Sequence, residues 1–172
     1  EKTAGTQKNI IKLVQKLESI GSDSYACKDE IDGRWRLIYT TTPETASPIQ
    51  RSFFSVKAFK IFQEISIYEN SQCPTVSNIV DFGKNIGKLQ VNALASTERR
   101  PIPDFVPRKG DGKIFGMNVL GVSKTAENID QINKKIRIDF KFDEAYFEFK
   151  LVPFKLPYPV PFRWLDDEVK GW

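Results

Sequence analysis

Asp32, Gly33, Arg34, Trp35, Arg36, Leu37, Ile38, Tyr39, Thr40, Thr41 is the stretch whose reading decides the fold. Successive side chains of a strand point to opposite faces, so Trp35, Leu37 and Tyr39 share one side while Arg34, Arg36 and Thr40 share the other. A glycine at the entry lets the chain turn in tightly, and a Trp two residues on can plug the closed end of a small antiparallel barrel. The stretch reads as part of a container rather than a catalyst.

Outward from this strand the same period of two recurs. Phe59, Ile61, Ile65 and Ile67 oppose Lys60 and Glu64, and Val76, Val80 and Phe82 oppose Ser77 and Asp81. Leu89, Val91, Ala93 and Ala95 oppose Gln90 and Asn92. Ile136, Ile138, Phe140 and Phe142 then oppose Arg137, Asp139 and Lys141, and Phe147, Phe149 and Leu151 oppose Glu148 and Lys150. Clean apolar and polar alternation predicts antiparallel strands with one wet face. Prolines interrupt it at Pro43 and Pro48, again across Arg99 to Gly112, and in Pro153 to Phe162. The apolar piece Ile114 to Leu120 and the weakly helical Ser123 to Lys135 read as excursions between strands.

On the other side of the opening stretch the period changes. Ile10, Leu13, Val14, Leu17 and Ile20 recur at helical spacing, and at roughly 100° per residue they share one arc with Lys8, Lys12 and Lys16 opposite. The pattern predicts a helix over 6–20, capped by Thr6 and stopped at Gly21. Two readings follow: the helix lies across one end of the barrel with its lysines in water, or Lys8, Lys12 and Lys16 touch anionic lipid headgroups.

The 172 residues fit one domain, 1–172, of the all-β class with one N-terminal α-helix. With 40% hydrophobic residues and 13 Phe the chain can bury a core, and 28% charged residues keep its outside wet. Every apolar run falls well short of the ~18 residues that span a bilayer, so membrane contact is expected to be peripheral. A net charge of +4 is spread without a basic stripe, which argues against nucleic acid as a partner. The start at Glu1 and the single Met117 fit a processed chain or a fragment. Cys27 and Cys73 read as free structural thiols or as one bridge.

Chemistry is hard to find. Histidine, the commonest general base, is absent from the chain. Phosphate loops, dinucleotide fingerprints and nucleophile elbows are missing as well. The carboxylate runs Asp29 Glu30, Asp143 Glu144 and Asp166 Asp167 Glu168 are neighbours in sequence, which on a strand face opposite ways. Neither a catalytic residue, a metal site nor a cofactor is expected.

Binding is easier to argue. Inward candidates are Trp35, Leu37, Tyr39, Ile61, Ile65, Val80, Phe82, Val91, Ile138 and Phe140, which either pack solid or line an apolar cavity of about 300–1,000 Å³. Gln63 and Asn78 are polar intruders on that face, either satisfied structural amides or the anchor for the polar end of a greasy ligand. The proline-aromatic arm is too apolar for a free linker, so Phe154, Tyr158 and Phe162 are candidate partner contacts.

Taken in order, these pieces resemble the plastid fibrillins, or plastid-lipid-associated proteins. The resemblance is carried by Trp35, Leu37, Tyr39 and Thr40, then Ala46 Ser47 Pro48, Phe62 Gln63, and Asn78 Ile79 Val80 Asp81 Phe82. It continues through Leu89 Gln90 Val91 Asn92 Ala93, Tyr158 Pro159 Val160 Pro161 Phe162, and Lys170 Gly171 Trp172. It implies a lipocalin-like antiparallel barrel in a plastid. The implied role is non-enzymatic: binding or sequestering a lipid, prenylquinone or carotenoid at thylakoid or plastoglobule surfaces, or docking on a photosynthetic membrane complex. In the family a further strand motif follows the closing Gly-Trp. Here nothing follows Trp172, so the barrel is expected to be incomplete at its C-terminal end.

Overall fold

The alternating segments become a meander. The computed structural model describes residues 2–21, 29–39, 59–68, 73–106, 113–114, 117–118 and 138–171. Helix α1 spans Lys2–Gly21, followed by β1 (Gly33–Arg36), β2 (Lys60–Ser66), β3 (Thr75–Asp81) and β4 (Gly87–Ser96). Then come the short β5 (Lys113–Ile114) and β6 (Met117–Asn118), the long β7 (Asp139–Phe149), β8 (Leu156–Pro157) and the one-turn helix α2 (Asp167–Lys170). Strands β1, β2, β3, β4, β7 and β8 lie side by side in that order, every neighbour antiparallel, while β5 and β6 pair with each other.

Register turns the alternation into rows. Ile65, Val76, Ala93 and Phe142 form one row across the apolar face, and Ile61, Val80, Leu89 and Phe147 another. Ile67, Val76, Ala95 and Ile65 pack at one end, while Val80, Phe82 and Leu89 pack at the other with Phe59 and Phe149. Sequence alternation reads 136–142 and 147–151 as separate runs because their apolar residues switch from even to odd numbers. The structure joins 139–142 and 147–149 in one strand. A bulge opposite Asn92 and Ala93 inserts Asp143, so Phe142 and Ala145 both face the core.

Among the described residues the sheet does not close, and β1 and β8 are its edges. This matches the expectation of an incomplete barrel. It also alters the role of Trp35, which plugs no closed end: it stands on edge strand β1 with 51% of its surface exposed. Its indole N–H donates to the Ile31 carbonyl at 2.8 Å. Gly33 serves by its φ of 138°, with open space where a Cβ would go. The start of β1 is tied down by Asp32, whose carboxylate accepts the backbone N–H of Ile67 at 2.8 Å and of Tyr68 at 2.7 Å.

The proline-aromatic arm does lie against something, and that something is the chain's own sheet. Leu156 and Pro157 pair with Phe147 and Tyr146, and Tyr158 donates its N–H to Ala145 at 2.9 Å. Proline is tolerated there because β8 is an edge. Phe162 follows and is 4% exposed, its ring 5.5 Å from that of Phe142. Burying such a ring contributes about 1.5–3 kcal/mol. Further on, Asp167 meets Lys141 at 2.7 Å and Gly171 bridges to Lys141.

Helix α1 begins four residues before the expected Thr6 cap, so Thr6 lies within it. Its apolar stripe is not buried across a barrel end: Leu13, Leu17 and Ile20 are 62%, 69% and 73% exposed. Helical periodicity says which side is apolar, not what covers it. Cys73 is a free, exposed thiol, whereas Cys27, Pro43 to Pro48 and Ser123 to Lys135 lie outside the described residues.

Candidate functional site

Between the two apolar rows runs a third. Register aligns Trp35, Gln63, Asn78, Val91 and Ala145 across five strands, which puts two amides in the middle of an otherwise hydrophobic face. Gln63 Nε2 donates to Asn78 Oδ1 at 3.0 Å. Both side chains are half-buried. Above and below them stand Ile65 and Val76, then Ile61 and Val80.

The expected lining residues separate into three groups. Ile65, Val80 and Phe82 are buried among their neighbours and serve the core. Ile61, Gln63, Asn78, Val91, Ile138 and Phe140 are half-buried. Trp35, Leu37 and Tyr39 are exposed at the β1 edge, where Leu37 still donates its N–H to Ile61 at 2.9 Å. The accessible part of the face therefore runs from the β1 edge toward the amide pair.

The opposite face is built differently. Arg34 stacks over the Phe62 ring at 4.3 Å while pairing with Glu64 at 3.3 Å. A chain of side-chain hydrogen bonds crosses three strands: Ser77 and Gln90 both donate to Asn92 Oδ1, and Asn92 Nδ2 donates to Glu144 at 2.9 Å. A groove of about 280 Å³ on this side is rimmed by Arg34, Lys84, Lys88 and Lys150 together with Asp81 and Glu148. Ile79 and Phe149 also line it, so charged and apolar surface meet there.

Of the expected partner contacts, Phe162 is buried in the chain's own core, and Tyr158 packs between Phe147 and Phe162 at ring separations of 5.9 Å and 6.1 Å. Burial raises the Tyr158 phenol above its ordinary pKa. Both rings cover the β7 edge because the arm folds back, which leaves Phe154, 60% exposed, as the outward-facing one. Lys8, Lys12 and Lys16 are exposed on α1, and no described helix is long and apolar enough to cross a membrane. The arm's ion pairs escaped sequence reasoning, because Arg163 and Asp143 are 20 residues apart and follow no local pattern.

Fold and site together define a small antiparallel-sheet module with one apolar face interrupted, among the described residues, by a single polar pair. The PAP_fibrillin family matches residues 1–101, and the chain belongs to this family of plastid-lipid-associated proteins. It is 40% identical over 164 residues to an Arabidopsis thaliana protein described as probable plastid-lipid-associated protein 12, chloroplastic. That alignment covers 95% of this chain and 31% of the relative, so the chain spans less than a third of the relative's length. No solved structure matches the chain.

Proposed function

We propose that this domain is a non-enzymatic plastid lipid-binding module. It holds a long apolar ligand, a prenylquinone, carotenoid or other lipid, against the apolar sheet face. The observation that carries the reading is the exposed Trp35 in register with the half-buried amide pair on a face otherwise made of Ile, Val, Leu, Ala and Phe. Each methylene removed from water there would contribute about 0.8 kcal/mol, enough to bind a long chain without a charged anchor. Helix α1 supplies the route to a thylakoid or plastoglobule surface: its exposed Leu13, Leu17 and Ile20 would enter the lipid, and Lys8, Lys12 and Lys16 would meet anionic headgroups.

Titration with a prenylquinone tests the first part. Trp fluorescence should be quenched saturably, and Trp35→Phe should remove most of the quenching. Unquenched Trp35 at saturating quinone defeats the reading.

A docking role on a photosynthetic membrane complex is the second reading. It rests on Leu151, Phe154 and Trp164, which remain exposed after the arm has folded back. Co-migration with such a complex on native gels, lost in Phe154→Ser with Trp164→Ser, would favour it.

A further inference from the structure

We infer that the Gln63 and Asn78 pair reads an oxygen head group, so that the face prefers a long apolar lipid ending in a hydroxyl over the corresponding hydrocarbon. The inference rests on the ligand binding proposed above and specifies which lipids are held. A primary amide carries one carbonyl acceptor and one NH₂ donor. The bond from Gln63 Nε2 to Asn78 Oδ1 uses one donor group and one acceptor. Gln63 Oε1 and Asn78 Nδ2 make no hydrogen bond among the described residues. Exchanging oxygen and nitrogen on both amides changes nothing, since the pair still offers one acceptor and one donor group.

The surroundings give this pair its selectivity. Its cross-strand neighbours in the row are Trp35 and Val91, and the residues two steps away along β2 and β3 are Ile61, Ile65, Val76 and Val80. A hydrocarbon laid over the face would shield the free acceptor and donor from water and give nothing back, which is the costly case for a polar group. A hydroxyl can answer either of them, donating to the free acceptor or accepting from the free donor. A carbonyl satisfies only the donor. The expected order is therefore alcohol, then ketone, then alkane, and a site that rejects a ligand lacking the matching polar group is the general way such discrimination arises.

Octadecan-1-ol, octadecan-2-one and octadecane, delivered from the same neutral detergent, test it by displacing the apolar fluorophore N-phenyl-1-naphthylamine from the full chain. The alcohol should compete about 3- to 10-fold better than the alkane, the worth of one neutral hydrogen bond, with the ketone between. In Gln63→Leu with Asn78→Leu the three should compete within twofold, the alkane no worse than before. Equal competition by all three on the wild-type chain overturns the inference and leaves the lipid-binding reading standing, as does a ranking that survives in the double variant. Failure of every ligand to displace the fluorophore overturns both. Should the double variant not fold, the wild-type ranking decides alone.

Discussion

Arg163 grips Asp143 with two hydrogen bonds, Nε to Oδ1 and Nη2 to Oδ2, each 2.9 Å long. The pairing exists because β7 inserts Asp143 as an extra residue opposite β4, and the bulge presents Asp143 and Glu144 together to the returning arm. Asp143, through its hydrogen bond first and its charge second, raises the Arg163 pKa further, so the guanidinium stays charged at any pH the protein survives.

The arm's two anchors should differ sharply in strength. Phe162→Ala removes a ring buried against Phe142, Ala93 and Ala145 and leaves a cavity, at a cost of about 3–5 kcal/mol. Arg163→Ala breaks a solvent-exposed pair, which is weak by nature. A urea titration should therefore show a large loss of midpoint for the first and almost none for the second. Hydrogen exchange at the Tyr158 amide should quicken in both, since that N–H is held by Ala145 across the same edge.

Gly87 is the position where the hairpin from β3 to β4 permits no side chain. Its φ is 141°, and an added Cβ would fall 2.8 Å from the Phe149 Cα and nearer still to the Glu148 carbonyl oxygen. Gly33 shares the positive φ but has open space beside it. Gly87→Ala should destabilise by more than the roughly 1–3 kcal/mol of backbone strain alone, because β7 must shift as well. Gly33→Ala should cost only the strain. Thermal melts of the two variants measured together check the order.

Acid should loosen α2 before it unfolds the sheet. Hydrogen bonds from Lys141, then Lys170, hold the Asp167 carboxyl below its ordinary value. A depressed pKa contributes stability that is complete above the unfolded value, about 3.9, and is lost as pH falls through the folded one. The protection of the Gly171 amide, whose N–H donates to the Asp167 backbone carbonyl at 3.3 Å, measured relative to the intrinsic exchange rate at each pH, should fall as pH drops from about 5 to about 2. Asp167→Asn should show low protection already at the upper end and little further change.

Strands β2, β3 and β4 were legible in the sequence because each keeps one parity from end to end: Ile61 to Ile67, Val76 to Phe82 and Leu89 to Ala95. Strand β7 was legible only in halves, since a bulge is a relation between two strands and leaves no periodic trace of its own. The amides Gln63 and Asn78 could be placed on the inner face by parity alone. Their direct bond could not, because it depends on the cross-strand register. Phe162 looked like a partner contact for a similar reason: an apolar residue in an extended arm must be covered, but the sequence does not say whether its own sheet or another molecule does the covering. Trp35 lies on a strand as the alternation predicts, but alternation does not say where a sheet ends, and the edge position is what leaves this ring exposed.

The amide pair supplies its own internal control. Gln63→Leu leaves Asn78 half-buried beside a hydrocarbon with its carbonyl unpaired, and a polar group stranded in this way costs about 1–3 kcal/mol at full burial, less at the partial burial seen here. Replacing both amides by leucine removes the stranded partner and adds apolar contact with Ile61, Ile65, Val76 and Val80, so the double variant should be at least as stable as either single one. Urea midpoints of the four proteins in this cycle measure the coupling directly. Stability that rises when the pair is removed would mean that Gln63 and Asn78 burden the fold in the absence of a ligand. Such a burden is the expected signature of a pair present for recognition rather than for packing. Additive single costs, with the double variant the least stable of the four, would instead assign both amides to holding β2 against β3.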